Sequence, residues 1–93
     1  MLMRRRDDVK FLESLVNMKL NTIKRTDLLQ IASQNGIALS TTEADQIVKE
    51  LYGKNYNLFN NKHRNIVLAK IAGIIGDDRA QQIEQVFLSL TGR

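Results

Sequence analysis

The apolar residues of this chain recur at the spacing of an α-helix, and proline is absent from all 93 residues. The clearest run takes positions i, i+3, i+4, i+7 and i+8, which are Ala44, Ile47, Val48, Leu51 and Tyr52. Residues at this spacing share one face of a helix, so the run predicts an amphipathic helix. Ser40 and Glu43 form a capping box at its start, and Gly53 follows as its end.

Four further segments show the same periodicity. We predict helices over residues 7–20, 27–34, 61–76 and 77–90, in addition to the helix between Ser40 and Gly53. Connections of this length suit neighbouring helices in one small domain. The pattern therefore predicts an all-α fold, a compact single-domain bundle of about five short helices.

Short polar residues stand where these helices are expected to begin. Thr26, either Asn60 or Asn61, and Asp77 are predicted N-caps, because their side chains accept hydrogen bonds from unpaired amides of the first turn. Gly36 follows the second helix, where a left-handed glycine commonly ends a helix.

Two of the predicted helices differ in how their apolar residues are distributed. The stripe of the first consists of Val9, Leu12, Leu15, Val16 and either Met18 or Lys19. The fourth is apolar around nearly its whole circumference, which is typical of a buried helix. Its interior Gly73 costs about 1 kcal/mol of helix stability relative to alanine, so we expect another helix to approach closely there. Leu68 and Leu88 lie off the main apolar faces and are predicted to be exposed.

The charge balance is mildly basic, with 14 Lys and Arg against 10 Asp and Glu and a net charge of +4. Three of the cations lie in residues 1–6, which we predict to be a flexible basic tail ahead of a single helical domain at 7–93. The chain has no run of 18 apolar residues and no apolar segment after the basic start, so neither a membrane span nor a secretory signal is expected. The expected location is the cytoplasm.

The residues of common catalytic sites are sparse. The chain has no cysteine and a single histidine, His63, which stands between Lys62 and Arg64. The paired carboxylates at 7–8 and 77–78 fall in first turns of predicted helices, where negative charge favours the helix dipole. No zinc, calcium or phosphate-loop spacing occurs. We therefore predict no enzymatic activity, no metal and no cofactor.

The stretch from Gly53 to Asn65, GKNYNLFNNKHRN, combines cations, an imidazole, aromatic rings and asparagines. Single-stranded nucleic acids are held by this mixture of positive charge and stacking surfaces. On this interpretation the candidate contact residues, for nucleic acid or another partner, are Lys54, Tyr56, Lys62, His63 and Arg64. Cations in the first turn of the fourth helix are mildly unfavourable, which a bound anion would explain.

A structural interpretation of the same stretch stays open beside the first. Tyr52, Leu58 and Phe59 would turn inward and fix the long connection onto the core. Asparagine favours turns because it tolerates left-handed backbone and bonds locally, so the asparagine cluster needs no ligand.

The same stretch resembles the YqfT-like family of small uncharacterised proteins from Gram-positive bacteria. The resemblance covers about residues 26–90, and its matching positions are Gly53, Lys54, Asn55, Asn57, Leu58, Phe59, Ala80, Ile83 and Phe87. It implies an all-helical cytosolic domain and no activity. The basic residues 1–6 are not part of the family's pattern.

These observations predict a non-catalytic protein that works by binding. The first hypothesis is a protein-interaction or self-association module, whose partner is an unknown protein or a second copy. The alternative is a nucleic-acid-binding accessory protein that uses the basic and aromatic loop around residues 54–64. No membrane partner and no small-molecule substrate are expected.

Overall fold

The computed structural model describes residues 5–90, with side chains for residues 13–89. These residues form five helices: α1 (Arg5–Asn21), α2 (Arg25–Gln34), α3 (Thr41–Leu51), α4 (Asn61–Ile75) and α5 (Asp77–Leu90). The predicted all-α, single-domain class is confirmed. Residues 1–4 of the predicted basic tail lie outside the described residues. Within 5–90, no helix has the length and apolar character needed to cross a bilayer.

Helix starts follow local hydrogen bonding. The predicted capping box of α3 is confirmed, since the Glu43 amide donates to Ser40 Oγ (3.1 Å) and the Ser40 amide donates to Glu43 Oε1 (3.0 Å). Asn60 caps α4 by accepting from the His63 amide at 3.0 Å.

Two predicted caps are wrong by one or two positions. Helix α2 begins earlier than expected, with Lys24 as N-cap, and Thr26 lies within its first turn. The Lys24 amide donates to Asp27 Oδ2 at 3.1 Å, so the first turn of α2 supplies an acceptor for the N-cap amide. Asp77 is the first residue of α5 itself, where its charge still favours the helix dipole.

The core draws on every helix and on the connections between them. Its buried side chains are Leu20, Ile23, Leu28, Ala32, Ile37, Ala44, Ile47, Leu51, Leu58, Val67, Ile71, Ile75, Ala80, Ile83 and Phe87. Their burial supplies most of the stabilisation of a domain this small.

The prediction that α4 is buried all round is wrong. Val67, Ile71 and Ile75 are buried, whereas Ile66 is 41% exposed and Gly73 is exposed. Among the described residues α4 packs chiefly against α3 and α5, and the side that carries Ile66 and Gly73 faces solvent. A Cβ atom added at Gly73 would meet nothing within 4 Å, so the close helix approach expected there does not occur.

The prediction that Leu68 and Leu88 are exposed is also wrong. Leu68 is half-buried and packs against the core, and Leu88 is half-buried on α5. The large apolar side chains that are exposed within the described part of the chain are instead Leu15, Met18, Tyr52 and Ile66.

An ion pair connects α5 to the start of α3. The Arg79 guanidinium donates to both Glu43 oxygens, at 2.8 and 2.7 Å, and to the Ala38 and Ile75 carbonyl oxygens. Hydrogen bonds from Arg79 and from the Ser40 amide lower the pKa of Glu43 from 4.5 to about 2. Charge-assisted bidentate pairs are among the stronger polar contacts in proteins, so this one fixes the register of α3 against α5.

The lowered pKa of Glu43 predicts a pH dependence of stability. The contribution of this carboxylate is complete above its unfolded-state pKa and is lost as the pH falls from about 5 towards about 2. We expect the wild type to unfold at a higher urea concentration than Glu43→Gln, by an amount that is constant near neutral pH. This difference between the two urea midpoints should narrow below about pH 5. In an Arg79→Ala background the same comparison should show a smaller pH dependence, because only the hydrogen bonds from Ser40 then lower the pKa of Glu43. A gap that stays constant down to pH 2 would contradict the role of the pair.

Candidate functional site

The connection between α3 and α4 is fixed to the C-terminal half of α1 by one asparagine side chain. Asn17 Nδ2 donates to Asn57 Oδ1 at 2.8 Å, and the Leu58 amide donates to Asn17 Oδ1 at 3.0 Å. Asn57 Oδ1 also accepts from the Phe59 amide at 3.0 Å. The two bonds of Asn17 join residues 40 and 41 positions apart and hold the buried Leu58 in place.

A second asparagine, at the end of α1, holds the start of the same connection. The Gly53 amide donates to the Asn21 carbonyl oxygen and the Asn55 amide donates to Asn21 Oδ1, both at 2.8 Å. Asn55 has φ of 59°, in the left-handed region that asparagine tolerates better than most residues. The asparagines of this stretch therefore satisfy backbone groups and allow a turn.

The three residues of the predicted aromatic plug have different environments. Leu58 is 1% exposed, and Phe59 is half-buried against the core. Tyr52 is 56% exposed, so the expectation that it turns inward is wrong. Tyr52 is the C-cap of α3 with extended backbone (φ −62°, ψ 127°), so its ring does not continue the apolar face of the helix.

Three of the five candidate contact residues support the connection. The Asn57 amide donates to His63 Nδ1 at 3.0 Å, and Arg64 donates to the Leu58 carbonyl oxygen at 3.0 Å and to Asn61 Oδ1. The half-buried Tyr56 ring packs edge-on against the His63 ring, with centroids 6.0 Å apart. The side chains of these three residues therefore have structural partners already.

The other two candidate residues, Lys54 and Lys62, are exposed. Their ammonium groups are available to an anionic partner. The structure therefore does not present the five predicted contact residues as one free surface.

A different feature, which the sequence analysis missed, is an apolar cavity of about 280 Å³. The described residues that line it are Leu15, Val16, Lys19, Leu20, Ile23, Leu28, Ile31, Ile47, Leu51, Leu58, Ile71, Ile83, Val86 and Phe87. Of these, only Lys19 is polar. Leu15 is 44% exposed and the Lys19 side chain is 63% exposed, so the cavity opens to solvent on the α1 side. Lys19 is paired across this opening with Asp27 of α2 at 3.6 Å.

The cavity leaves apolar surface in contact with solvent. Burial of apolar surface contributes about 25 cal/mol per Å². Filling the cavity with apolar groups would therefore be favourable.

A second, more polar pocket of about 230 Å³ lies beside the cavity. Its described lining consists of Asn35, Gln82, Gln85, Val86 and Ser89. Val86 of α5 lines both pockets.

The sequence contained one signal of the cavity. The predicted stripe of the first helix includes Leu15, Val16 and either Met18 or Lys19, but in the structure only Val16 of these packs on the core, and Leu15 and Met18 are exposed. When the apolar stripe of a helix is wider than its contact with the core, the extra apolar residues indicate a second packing partner. Val9 and Leu12 lie outside the described side chains.

Several titratable side chains of the described residues already have structural partners. No group of three His, Asp or Glu side chains that could hold a metal ion occurs among the described residues. His63 and Arg64 bond to the backbone of the connection, and Glu43 pairs with Arg79. The cavity offers apolar contacts and is bordered by the Lys19–Asp27 ion pair.

Comparisons with known proteins place the sequence beside uncharacterised relatives. The profile of the family described as protein of unknown function (DUF2624) matches residues 9–91. The chain is 32% identical over 79 residues to the uncharacterized protein YqfT of Bacillus subtilis (strain 168), an alignment that covers 85% of this chain and 94% of that protein. No solved structure matches the chain.

Proposed function

We propose from its structure that this chain, a member of the DUF2624 family of proteins of unknown function, is a protein-interaction module. The YqfT-like pattern of its sequence predicted this family. On this proposal the apolar cavity beside α1 receives apolar side chains of a partner protein. The protein is non-catalytic and acts in the cytoplasm.

The cavity is the observation that carries this proposal. Interfaces gain most of their energy from a few side chains, often aromatic, that fill desolvated pockets. The cavity offers such a pocket, lined by core side chains that are fixed by the bundle rather than by a mobile loop. The exposed side chain of Leu15 at its opening provides apolar surface next to it.

The experiment fills the cavity from within. Val86 is half-buried on α5 and lines the cavity, so the ring of Val86→Phe would occupy part of the space that a partner needs. Val48→Phe is the matched control, because Val48 is a half-buried valine that packs on the core without lining the cavity. Thermal unfolding of both variants first establishes that they remain folded.

The partner is captured from the native host with the wild-type chain, identified by mass spectrometry and purified for titration. We expect at least tenfold weaker binding to Val86→Phe and unchanged binding to Val48→Phe. A captured protein that binds Val86→Phe as tightly as the wild type, or no protein captured reproducibly, would overturn the proposal.

Single-stranded nucleic-acid binding is the second candidate function, and the exposed Lys54 and Lys62 favour it. It has less support, because His63, Arg64 and Tyr56 already contact the connection. It predicts oligonucleotide binding that weakens steeply as salt rises and is lost in a Lys54→Ala/Lys62→Ala variant. Absence of binding at low salt would remove it.

A further inference from the structure

We infer that His63 is a pH-sensitive switch for the connection between α3 and α4. Uptake of one proton by its imidazole breaks the hydrogen bond from the Asn57 amide and loosens the connection around Leu58. The switch lies within the chain itself, so this inference does not rest on the proposed partner.

The hydrogen bond between Asn57 and His63 fixes the protonation state of the ring. The Asn57 amide is a donor, and it reaches Nδ1 of His63 at 3.0 Å. A ring nitrogen accepts a hydrogen bond only when it carries no proton, so the neutral ring holds its proton on Nε2. In the charged ring both nitrogens are donors, and two donors would then face each other. The charged ring and this hydrogen bond therefore exclude each other.

Rotation of the ring provides no substitute acceptor. A half turn about the Cβ–Cγ bond exchanges Nδ1 with Cδ2, so that a C–H group would face the Asn57 amide. The edge of the Tyr56 ring also packs against the imidazole, with ring centroids 6.0 Å apart. Asn57 is half-buried, and an amide that loses its acceptor in such a place is costly. The charged ring therefore favours an open connection.

The cations near His63 in the sequence offer no ion pair to a charged imidazole. Lys62 and Arg64 flank it on α4, and the Arg64 guanidinium donates to the Leu58 carbonyl oxygen of the same connection. Lys54 is the other cation of the connection and is exposed. A charged imidazole would therefore add a further positive charge to a stretch that already carries three.

The carboxylates of the surrounding helices are paired elsewhere or lie away from His63. Those of α3 form ion pairs with other side chains, namely Glu43 with Arg79, Asp45 with Arg25 and Glu50 with Lys70. Asp77 and Asp78 follow the opposite end of α4, about 20 Å along the helix from His63. Glu13 of α1 and Glu84 of α5 remain, and neither forms an ion pair with His63 within the described part of the chain. No carboxylate there compensates the charged ring for the lost bond.

Opening at Asn57 reaches the core through the next residue. Asn57 Oδ1 accepts from Asn17 Nδ2 and from the Phe59 amide, so a displaced Asn57 weakens both bonds. Leu58 lies between these contacts, is 1% exposed and lines the apolar cavity. The switch therefore acts on one wall of the cavity.

Hydrogen exchange of the Asn57 amide, measured by NMR on the full chain at pH 7.5 and pH 5.0, tests the switch. A solvated histidine takes up its proton near pH 6.5. If only the open connection binds this proton, the open state gains about 30-fold in population between the two pH values. We expect the protection factor of the Asn57 amide to fall at least tenfold. The Glu43 carboxylate titrates below this range and does not contribute.

His63→Asn is the matched control. The asparagine Oδ1 takes the place of the imidazole Nδ1 as acceptor but does not titrate. Thermal unfolding at both pH values first establishes that this variant is folded. We expect its Asn57 protection factor to change less than twofold between pH 7.5 and pH 5.0.

The nitrogen chemical shifts of the wild-type imidazole provide a second measurement that needs no variant. At pH 7.5 they should show a bare Nδ1 and a protonated Nε2. A proton on Nδ1 at this pH would overturn the inference. So would a wild-type protection factor that falls less than tenfold, or an equal fall in His63→Asn.

Discussion

Replacing Leu58 with alanine is expected to lower the free energy of unfolding by about 3 kcal/mol, the middle of the range for a buried leucine. Leu58 is 1% exposed although it lies in a connection and not in a helix. Its side chain also lines the apolar cavity, so truncation enlarges a space that already lacks packing atoms. The neighbouring side chains are held by five helices and can collapse only partly into the gap.

Urea denaturation followed by circular dichroism measures this change, and the melting temperature should fall by roughly 10–20 °C for a domain of this size. Tyr52→Ala is the matched control within the same connection, because its ring is 56% exposed. We expect its effect to stay within about 0.5 kcal/mol, as for other surface substitutions. If Leu58→Ala unfolds at the wild-type urea concentration, the connection does not anchor the core.

The helices and several of their ends could be predicted because the signals are local. The capping box of Ser40 and Glu43 and the asparagine cap of α4 depend on atoms within three residues of each other. Gly36 adopts φ of 69°, as its place after α2 predicted. Such features depend mainly on neighbouring residues, so sequence spacing identifies several of them.

The wrong predictions concern which side of each helix is covered by a neighbouring helix. The apolar circumference of α4 suggested complete burial, but two neighbouring helices cover only part of it and leave Ile66 and Gly73 exposed. The apolar periodicity of α3 extends to Tyr52, but the helix itself ends at Leu51. Helical periodicity does not show how many partners a helix has.

The cavity could not be predicted for a related reason. Each lining residue is an ordinary core residue by sequence, and the empty space arises only from the distances between helices. The hydrogen bonds between Asn17 and the 53–60 connection could not be predicted either, since the two bonded segments are 40 residues apart. The asparagine-rich stretch indicated a turn but not the helix to which it binds.

The second large expected effect concerns these long-range hydrogen bonds. We expect Asn17→Ala to lower the free energy of unfolding by about 2 kcal/mol. The substitution removes the bond to Asn57 Oδ1 and leaves the Leu58 amide, at a buried residue, without its acceptor. An unsatisfied buried amide costs about 1–3 kcal/mol. Alanine favours the helix over asparagine by several tenths of a kcal/mol, which offsets a small part of this loss.

Asn65→Ala isolates that helix-propensity gain, because Asn65 is an exposed asparagine within α4. We expect Asn65→Ala to be neutral or slightly stabilising in urea denaturation, while Asn17→Ala is clearly destabilised. Amide hydrogen exchange adds a local readout: exchange at Leu58 should accelerate much more in Asn17→Ala than exchange at Ile47 in the α3 core. If both alanine variants behave alike and the Leu58 amide keeps its protection, Asn17 does not hold the connection on α1.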